Sequence, residues 1–331
     1  MQTEVLAVDS ANPDKSVLGR AASVLRGGGL IAFPTETVYG LGANAKDAAA
    51  VAKIFEAKGR PATNPVIVHV AEAVEILNVG ENLPETGKIL AERFWPGPLT
   101  LVLPKRVDIP AIVTAGGNTV AVRCPSHPVA RELIRAAGVP VAAPSANRST
   151  ELSPTRAEHV LASLNGLIDM ILDGGPCPGG LESTVVDVTG PTPRVLRHGL
   201  IDVPMLEAVI GHVEVASGSS GTARSPGQMA KHYSPRTTLK LLDGPELMEE
   251  LLRATHGGWK VGTLLFHGRA LVPGTGPHIS LPNEPAAASA LLYDTLFRLD
   301  RAGLDVILVE PPPDEPAWAA VRDRLTRAAH R

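Results

Sequence analysis

The chain has 331 residues, 44% of them hydrophobic and 20% charged, with a formal net charge of −3 and only 3% aromatic residues. That length is long for one domain and comfortable for two, each with its own core. The mild acidity excludes a surface built throughout for nucleic acid, the scarce aromatics leave few platforms for stacked bases, and no apolar run approaches a membrane span. Cys124 and Cys177 lie outside any CxxC or Cys/His ligand spacing, so neither a disulfide framework nor a zinc site is signalled, and both are expected as small buried groups. No basic-then-apolar leader is visible at Met1, and a soluble, cytoplasmic protein is the expectation.

In chain order, "DKSVLGRAASVLRGG" (14–28) reads as a helix closing on glycine, followed by the short strand "GLIAF" (29–33) and the polar stretch "PTETVYGLG" (34–42). A helix over "DAAAVAKIFEAKG" (47–59) leads to a strand at "PVIVHV" (65–70). Strands at "LTLVLP" (99–104) and "TVAVRCP" (119–125) come next, with no helical pattern between them. Then follow the helix "HPVARELIRAAG" (127–138), the run "VPVAAPSANRST" (139–150), and strands at "DMILDGG" (169–175) and "STVVDV" (183–188). Alternation of this kind predicts an α/β domain, and the adjacent strands near 99–125 predict a mixed sheet.

Residues 212–236 are dense in Ser, Gly and Pro without apolar periodicity and read as a linker. Alternation resumes in "TTLKLLDG", "PELMEELLRATHG", "KVGTLLFHG", "EPAAASALLYDTLFRLDRAG", "DVILVEP" and "EPAWAAVRDRLTRAAHR". The expected organisation is a catalytic domain over 1–211, a linker or lid over 212–236, and a smaller Rossmann-like α/β domain over 237–331.

The phosphate loop GxxxxGK[ST] and the patterns GxGxxG, HExxH and GxSxG are all missing. "GGPCPGG" (174–180) lacks the lysine of a phosphate cradle and reads as a loop that turns the chain. The informative residues sit where strands end. Pro34 removes a ladder donor, and Thr35, Glu36, Thr37 and Tyr39 follow it between glycines, which delivers hydroxyls to the end of an apolar strand. Lys58 and Arg60 flank Gly59 before Pro61, a pair of cations suited to polyphosphate, or to a helix C-terminus. Asn64 could add an amide, and His69 lies inside an apolar strand. Arg123 ends another strand and needs an acidic partner or an anionic ligand. Pro144, Ser145, Ala146 and Asn147 repeat the strand–proline–donor layout, while Ser183, Thr184 and Arg197 supply further polar groups. Five such loops suggest one cavity for a small anionic molecule. Without paired carboxylates or a Ser–His–Asp order, catalysis by positioning and electrostatics is expected, as in transfer at phosphorus.

Together "PTETVYGLG", "KGRP" with "NPVIVHV", "WPGPLTLVL", "VAVRCP", "PSAN" and "ESTVVD" resemble the L-threonylcarbamoyladenylate synthase family, over roughly residues 15–200. Its KxR mark matches Lys58–Gly59–Arg60 and its SxN mark Ser145–Ala146–Asn147. "SPGQMAKHYSPR" with the second domain is similar to the family's long form. The resemblance implies a YrdC-like N-terminal domain with a concave cationic cavity. It also implies a nucleotidyltransferase making threonylcarbamoyl-AMP and pyrophosphate from L-threonine, bicarbonate and ATP, with magnesium, for threonylcarbamoyladenosine in tRNA. Lys58, Arg60, Ser145 and Asn147 would be catalytic. Threonine would be held by Thr37, His69, Arg123 and Ser183, and ATP by Lys58, Arg60, Asn64, Thr119, Ser145, Asn147, Ser153 and Arg197, with Tyr233 as a lid contact. No metal ligand is named. A downstream threonylcarbamoyl transferase would take the product, and no stable nucleic-acid binding is expected. An RNA-gripping protein and a carbamoyl-transfer relative with another acceptor are the competing readings.

Overall fold

A computed structural model describes residues 2–216, 233–266 and 276–330. Eleven strands form one sheet: β1 (Glu4–Ala7), β2 (Ile31–Phe33), β3 (Gly40–Asn44), β4 (Ile67–His69), β5 (Leu99–Pro104), β6 (Thr119–Arg123), β7 (Val141–Ala142), β8 (Met170–Asp173), β9 (Thr184–Asp187), β10 (Arg194–Arg197) and β11 (Glu214–Val215). Their spatial order is β1-β8-β2-β3-β7-β4-β6-β5-β9-β10-β11. Parallel pairs such as β4 with β6 alternate with antiparallel ones such as β5 with β6, so the sheet is mixed. Helices α1 (Lys15–Arg26), α2 (Ala48–Lys58), α3 (Glu85–Phe94), α4 (Pro128–Ala137), α5 (Ala157–Leu164) and α6 (Val203–Ile210) accompany it.

Side chains on a strand alternate between faces, and here each face has its own core. Ile31, Phe33, Val141, Met170 and Leu172 pack with Leu133 and Leu25 of α4 and α1, whereas Ala32, Ala142 and Ile171 join Ile54 and Leu90 on the other side. Both cysteines are buried and free.

The second sheet is all parallel, in the order β12 (Thr238–Leu241), β15 (Val306–Val309), β13 (Val261–Leu265), β14 (His278–Ser280). Helix α7 (Gly244–His256) covers one face, with Leu247 and Leu251 against Val306 and Leu308. Helices α8 (Pro285–Asp300) and α9 (Ala319–Ala329) cover the other. This second core does not stop at the domain edge: Val38, Leu152, Leu181 and Tyr233 belong to the same cluster as Leu264, Leu292, Leu296 and Val321.

Three differences from the expected elements bear on the site. Gly40 and Gly42 lie within strand β3 rather than in a loop, because β2 returns on itself as an antiparallel pair; a Cβ on Gly42 would fall 2.7 Å from the Phe33 ring. The stretch read as a linker contains β11, which pairs with β10 and carries the first sheet past residue 211; residues 217–232 lie outside the described residues. The glycine-rich loop at 174–180 does more than turn the chain. A Cβ on Gly180 would lie 2.2 Å from the Ser289 carbonyl oxygen, so this loop is where α8 of the second domain presses on the first. Among the described residues, no helix is long and apolar enough to cross a membrane.

Candidate active site

Pro34 ends β2, and the chain beyond it is held by its own hydroxyls. Thr35 Oγ1 donates to the Val38 carbonyl at 2.7 Å and accepts from the Thr37 amide at 3.1 Å, a local turn that leaves Thr37 fully buried beside it. Tyr39 packs its ring in the core and donates to the Gly175 carbonyl at 2.7 Å. Gly40 then forms a bridge with Ser145, while the Ala146 amide donates to the Tyr39 carbonyl at 2.9 Å. The first and fourth polar loops of the sequence are thereby joined.

Helix α2 stops at Gly59, whose φ of 60° is the left-handed conformation that favours glycine. That reversal sends Lys58 and Arg60 to different tasks. Lys58 is fully enclosed and donates from Nζ to the carbonyl of Ser145 at 2.6 Å and to that of Asn147. It fastens the KGR turn to the SAN turn. Burial, reinforced by the charge of Arg60, pushes its ammonium well below the ordinary lysine value. Arg60 donates to the carbonyls of Asn64 and Pro65 and turns its remaining guanidinium surface to a cleft. Burial lowers it to about 10, which leaves it charged at neutral pH.

Arg123 ends β6 beside His69, its register partner on β4. It donates from Nη1 to Thr37 Oγ1 at 2.9 Å, and Nη2 lies 2.7 Å from Glu36 Oε1. The acidic partner demanded by a buried arginine is therefore present. Yet neither Glu36 carboxylate oxygen nor Arg123 Nη2 completes a hydrogen bond, so the charges meet while the N–H directions do not. His69 Nδ1 is likewise buried without a partner. Burial, and then the charge of Arg123, depress the imidazole to about 3, so His69 is neutral at pH 7.

On the opposite wall, Arg197 at the end of β10 donates to the Ser183 carbonyl at 3.0 Å and to its hydroxyl at 3.1 Å. Ser183 Oγ also lies 2.7 Å from Thr100 Oγ1. Next to it, Glu182 is buried and accepts from Ser153 Oγ, from Tyr293 Oη of α8 at 3.2 Å and from Arg324 Nε of α9 at 2.8 Å. Burial alone would raise this carboxyl. The charges of Arg324 and Arg197, with those hydrogen bonds, outweigh it and hold the group at about 2.

Thr37, Arg60, His69, Arg123, Ser145, Ser183, Arg197 and Tyr233 converge on one cleft. Thr35, Gly40, Pro144 and Glu182 also line it, with Val38, Ile67 and Ala143. Lys58, Asn64, Asn147 and Ser153 stand behind that surface. Asn147 spends its amide on the carbonyls of Arg148 and Glu151, and Ser153 spends its hydroxyl on Glu182. Thr119 is not brought to the cleft: it opens β6 four residues before Arg123, roughly 13 Å along the strand. Sequence reasoning had no role for Glu36 or Glu182. Both flank assigned hydroxyl residues, Thr37 and Ser183, and that adjacency was the available signal. For Tyr293 and Arg324 there was none, since each looks like an ordinary position of an amphipathic helix.

Three buried arginines, Arg60, Arg123 and Arg197, line the cleft beside hydroxyls and the single carboxylate of Glu182, an arrangement that favours an anion with several oxygens. Among the described residues no cluster with cation-ligand spacing lies at the cleft, where Glu182 is held by Arg324 and Glu36 lies beside Arg123. The described cluster with cation-ligand spacing, Glu158, His159 and Asp294, lies away from the cleft, and Asp294 already accepts from Arg156 at 2.8 Å.

Fold and site thus define a two-domain α/β protein with an arginine-lined cleft at strand ends and no phosphate loop. The Sua5–YciO–YrdC family, described as "Telomere recombination", matches residues 23–199, and the family "Threonylcarbamoyl-AMP synthase, C-terminal domain" matches residues 201–330. The chain belongs to the Sua5–YciO–YrdC family, in its two-domain form. It is 44% identical to a threonylcarbamoyl-AMP synthase of Bacillus subtilis over 97% of this chain and 95% of that protein, and 43% identical to one of Pyrococcus abyssi over 93% of each. The crystal structure of P. abyssi Sua5 complexed with L-threonine superposes with a TM-score of 0.93 at 40% identity, covering 99% of this chain and 98% of that one.

Proposed function

We infer that this chain is a nucleotidyltransferase that makes threonylcarbamoyl-AMP and pyrophosphate from L-threonine, bicarbonate and ATP, for threonylcarbamoyladenosine in tRNA. The observation that carries the reading is the convergence of Thr37, His69, Arg123 and Ser183 with Arg60, Ser145 and Arg197 on one cleft.

The chemistry has two parts. The threonine amine joins carbon dioxide, or bicarbonate with loss of water, to give a carbamate, and a carbamate oxygen then attacks the α-phosphorus while pyrophosphate leaves. Arg123 is placed to receive the threonine carboxylate by giving up its misaligned contact with Glu36. Neutral His69, with an open Nδ1, can meet the amine or hydroxyl without adding a competing charge. Arg60 and Arg197 offset charge that develops on the phosphates, which is how a site without a nucleophile accelerates transfer. Lys58 and Asn147 hold the KGR and SAN turns together and Ser153 holds Glu182; they act through those turns. Magnesium would arrive with the ATP phosphates, and no step is assigned to it. The product passes to a threonylcarbamoyl transferase in the cytoplasm, and no stable grip on RNA is assigned to this chain. The first domain runs on through β11 (Glu214–Val215), the second is taken as 237–331, and Tyr233 between them lines the site.

Pyrophosphate release tests the reading, measured with ATP, magnesium and bicarbonate and with L-threonine, L-serine or no amino acid. Release should require threonine and bicarbonate and fall at least a hundredfold in Arg60→Ala, as expected for loss of a charge-stabilising donor, roughly 3 kcal/mol. Folded protein that ignores threonine and binds RNA in a salt-dependent way would return the chain to the RNA-gripping reading.

A further inference from the structure

We propose that Arg324, on the last helix of the C-terminal domain, is a positioning residue of the cleft: it fixes Glu182 and seats the ring of Tyr233 against the anion site. The inference rests on the reading of the cleft given above. It also gives the second domain a task that its sequence does not announce.

Arg324 is 1% exposed, an unusual fate for a residue type that is almost never fully buried unless paired. Each face of its guanidinium fork is used. Nε donates to Glu182 Oε2 at 2.8 Å, Nη2 to the His198 carbonyl at 2.9 Å, and Nη1 to Asp323 at 2.6 Å. Its carbon Cζ stands 4.8 Å from the centre of the Tyr233 ring, the geometry of a cation–π contact. Two of these partners, Glu182 and Tyr233, line the cleft, while Arg324 itself does not. A third, the His198 carbonyl, directly follows Arg197 in the chain.

The seat is needed because Tyr233 is held against its backbone preference. Its φ is 60°, left-handed for a non-glycine residue, and its side chain is 1% exposed at the first described position after residue 216. Strain of this kind persists only where the surroundings over-determine it. Here they do: Arg324 packs on its ring, and the Tyr293 ring lies 6.0 Å away. Tyr293 also donates to Glu182, so two helices of the C-terminal domain converge on one carboxylate of the cleft wall. A lysine at position 324 would keep the charge but lose the planar fork that serves Glu182 and the His198 carbonyl at once.

The chain has three tyrosines, Tyr39, Tyr233 and Tyr293, which makes the idea directly readable. Full-length protein carrying 3-fluorotyrosine gives three fluorine lines, assigned by single Tyr→Phe changes. Arg324→Met should shift the Tyr233 and Tyr293 lines and leave that of Tyr39, and should lower kcat/KM for threonine-dependent pyrophosphate release at least tenfold. Arg324→Lys should recover part of the activity. The double variant Glu182→Gln/Arg324→Met, which removes both charges of this pair, should regain melting temperature but not activity. Leu325→Ala, one residue along and in the apolar core, is the control for a purely structural role. If Leu325→Ala with a matched loss of melting temperature loses as much activity as Arg324→Met, or if Arg324→Met leaves the Tyr233 line in place, the proposal is overturned. Wild-type protein inactive with threonine would instead overturn the reading of the cleft, and the fluorine lines would still decide whether Arg324 seats Tyr233.

Discussion

Two buried arginine–glutamate pairs border the same cleft, and they are built in opposite ways. Arg123 and Glu36 belong to one domain, lie 2.7 Å apart, and complete no hydrogen bond between them. Arg324 and Glu182 come from different domains, align at 2.8 Å, and share the carboxylate with Ser153 and Tyr293. A buried ion pair recovers its desolvation cost only with good geometry and satisfied partners. By that criterion the second pair is a fixture. The first is a contact that a better-aligned carboxylate can displace, and it stands where the substrate's carboxylate is assigned.

The largest effect should come from breaking the exchangeable pair. Arg123→Met is expected to raise the KM for threonine about a hundredfold or more, the usual cost, roughly 2–5 kcal/mol, of removing a buried hydrogen-bonded charge from a complex. Glu36→Gln, which frees Arg123, should leave that KM unchanged or lower it. Steady-state pyrophosphate release over a threonine series reads both. An Arg123→Met enzyme with a threonine KM within twofold of wild type would end the idea that Glu36 stands in for substrate.

The fixed pair should instead dominate stability. Glu182→Ala strands Arg324 in an apolar surrounding and should cost about 3–5 kcal/mol in thermal unfolding. Glu36→Ala should cost about 1 kcal/mol, since Arg123 faces a cleft that water can enter. The pairs also part company in acid. The Glu182 carboxyl sits at about 2 in the folded chain against an ordinary 4.5, so its contribution is complete above about 4.5 and is lost as pH falls from there through about 2. In Glu182→Gln/Arg324→Met that part of the acid loss should vanish. Equal stability losses for the two alanine variants, or an unchanged acid limb, would erase the distinction.

The same contrast marks what the sequence could say. The first sheet's strands at 67–69, 99–104 and 119–123, the helices before and after them, and the polar loops at their ends were legible because period and punctuation are local. The convergence of Thr37, Arg60, Arg123, Ser145 and Arg197 followed from five loops of one design. Helices α3, α5 and α6 and strands β1, β3, β10, β11 and β14 were not foreseen. Strand β3 hid behind its glycines, which are there because Phe33 and Val141 leave no room for a Cβ at Gly42. The support that Tyr293 and Arg324 give Glu182 depends on how the two domains dock: helical spacing within "AAVRDRLTRAAHR" puts Arg324 on the face of Val321, Leu325 and Ala328, but nothing local names the carboxylate it meets. Lys58 shows a subtler limit. Its type and spacing suit phosphate, yet its ammonium is committed to backbone carbonyls, a pairing that only three-dimensional proximity can make.

The smallest effect tests whether the KGR turn sets the aim of Arg60. Gly59 and Gly138 both cap helices, with φ of 60° and 66°, and neither has a crowded Cβ position: the nearest atom to Gly59 is Arg148 Nη2 at 4.0 Å, and nothing lies within 4 Å of Gly138. Alanine at either site should therefore cost the same backbone strain, about 1 kcal/mol in unfolding free energy. Only Gly59 stands between two cations of the site. If the turn merely ends a helix, Gly59→Ala and Gly138→Ala will match in both melting temperature and pyrophosphate release. If it aims Arg60, Gly59→Ala will match Gly138→Ala in stability and fall a further three- to tenfold in kcat/KM for ATP. A small rotation at residue 59 is carried directly into the guanidinium at residue 60, and misplacement by even about 1 Å is costly where catalysis rests on position.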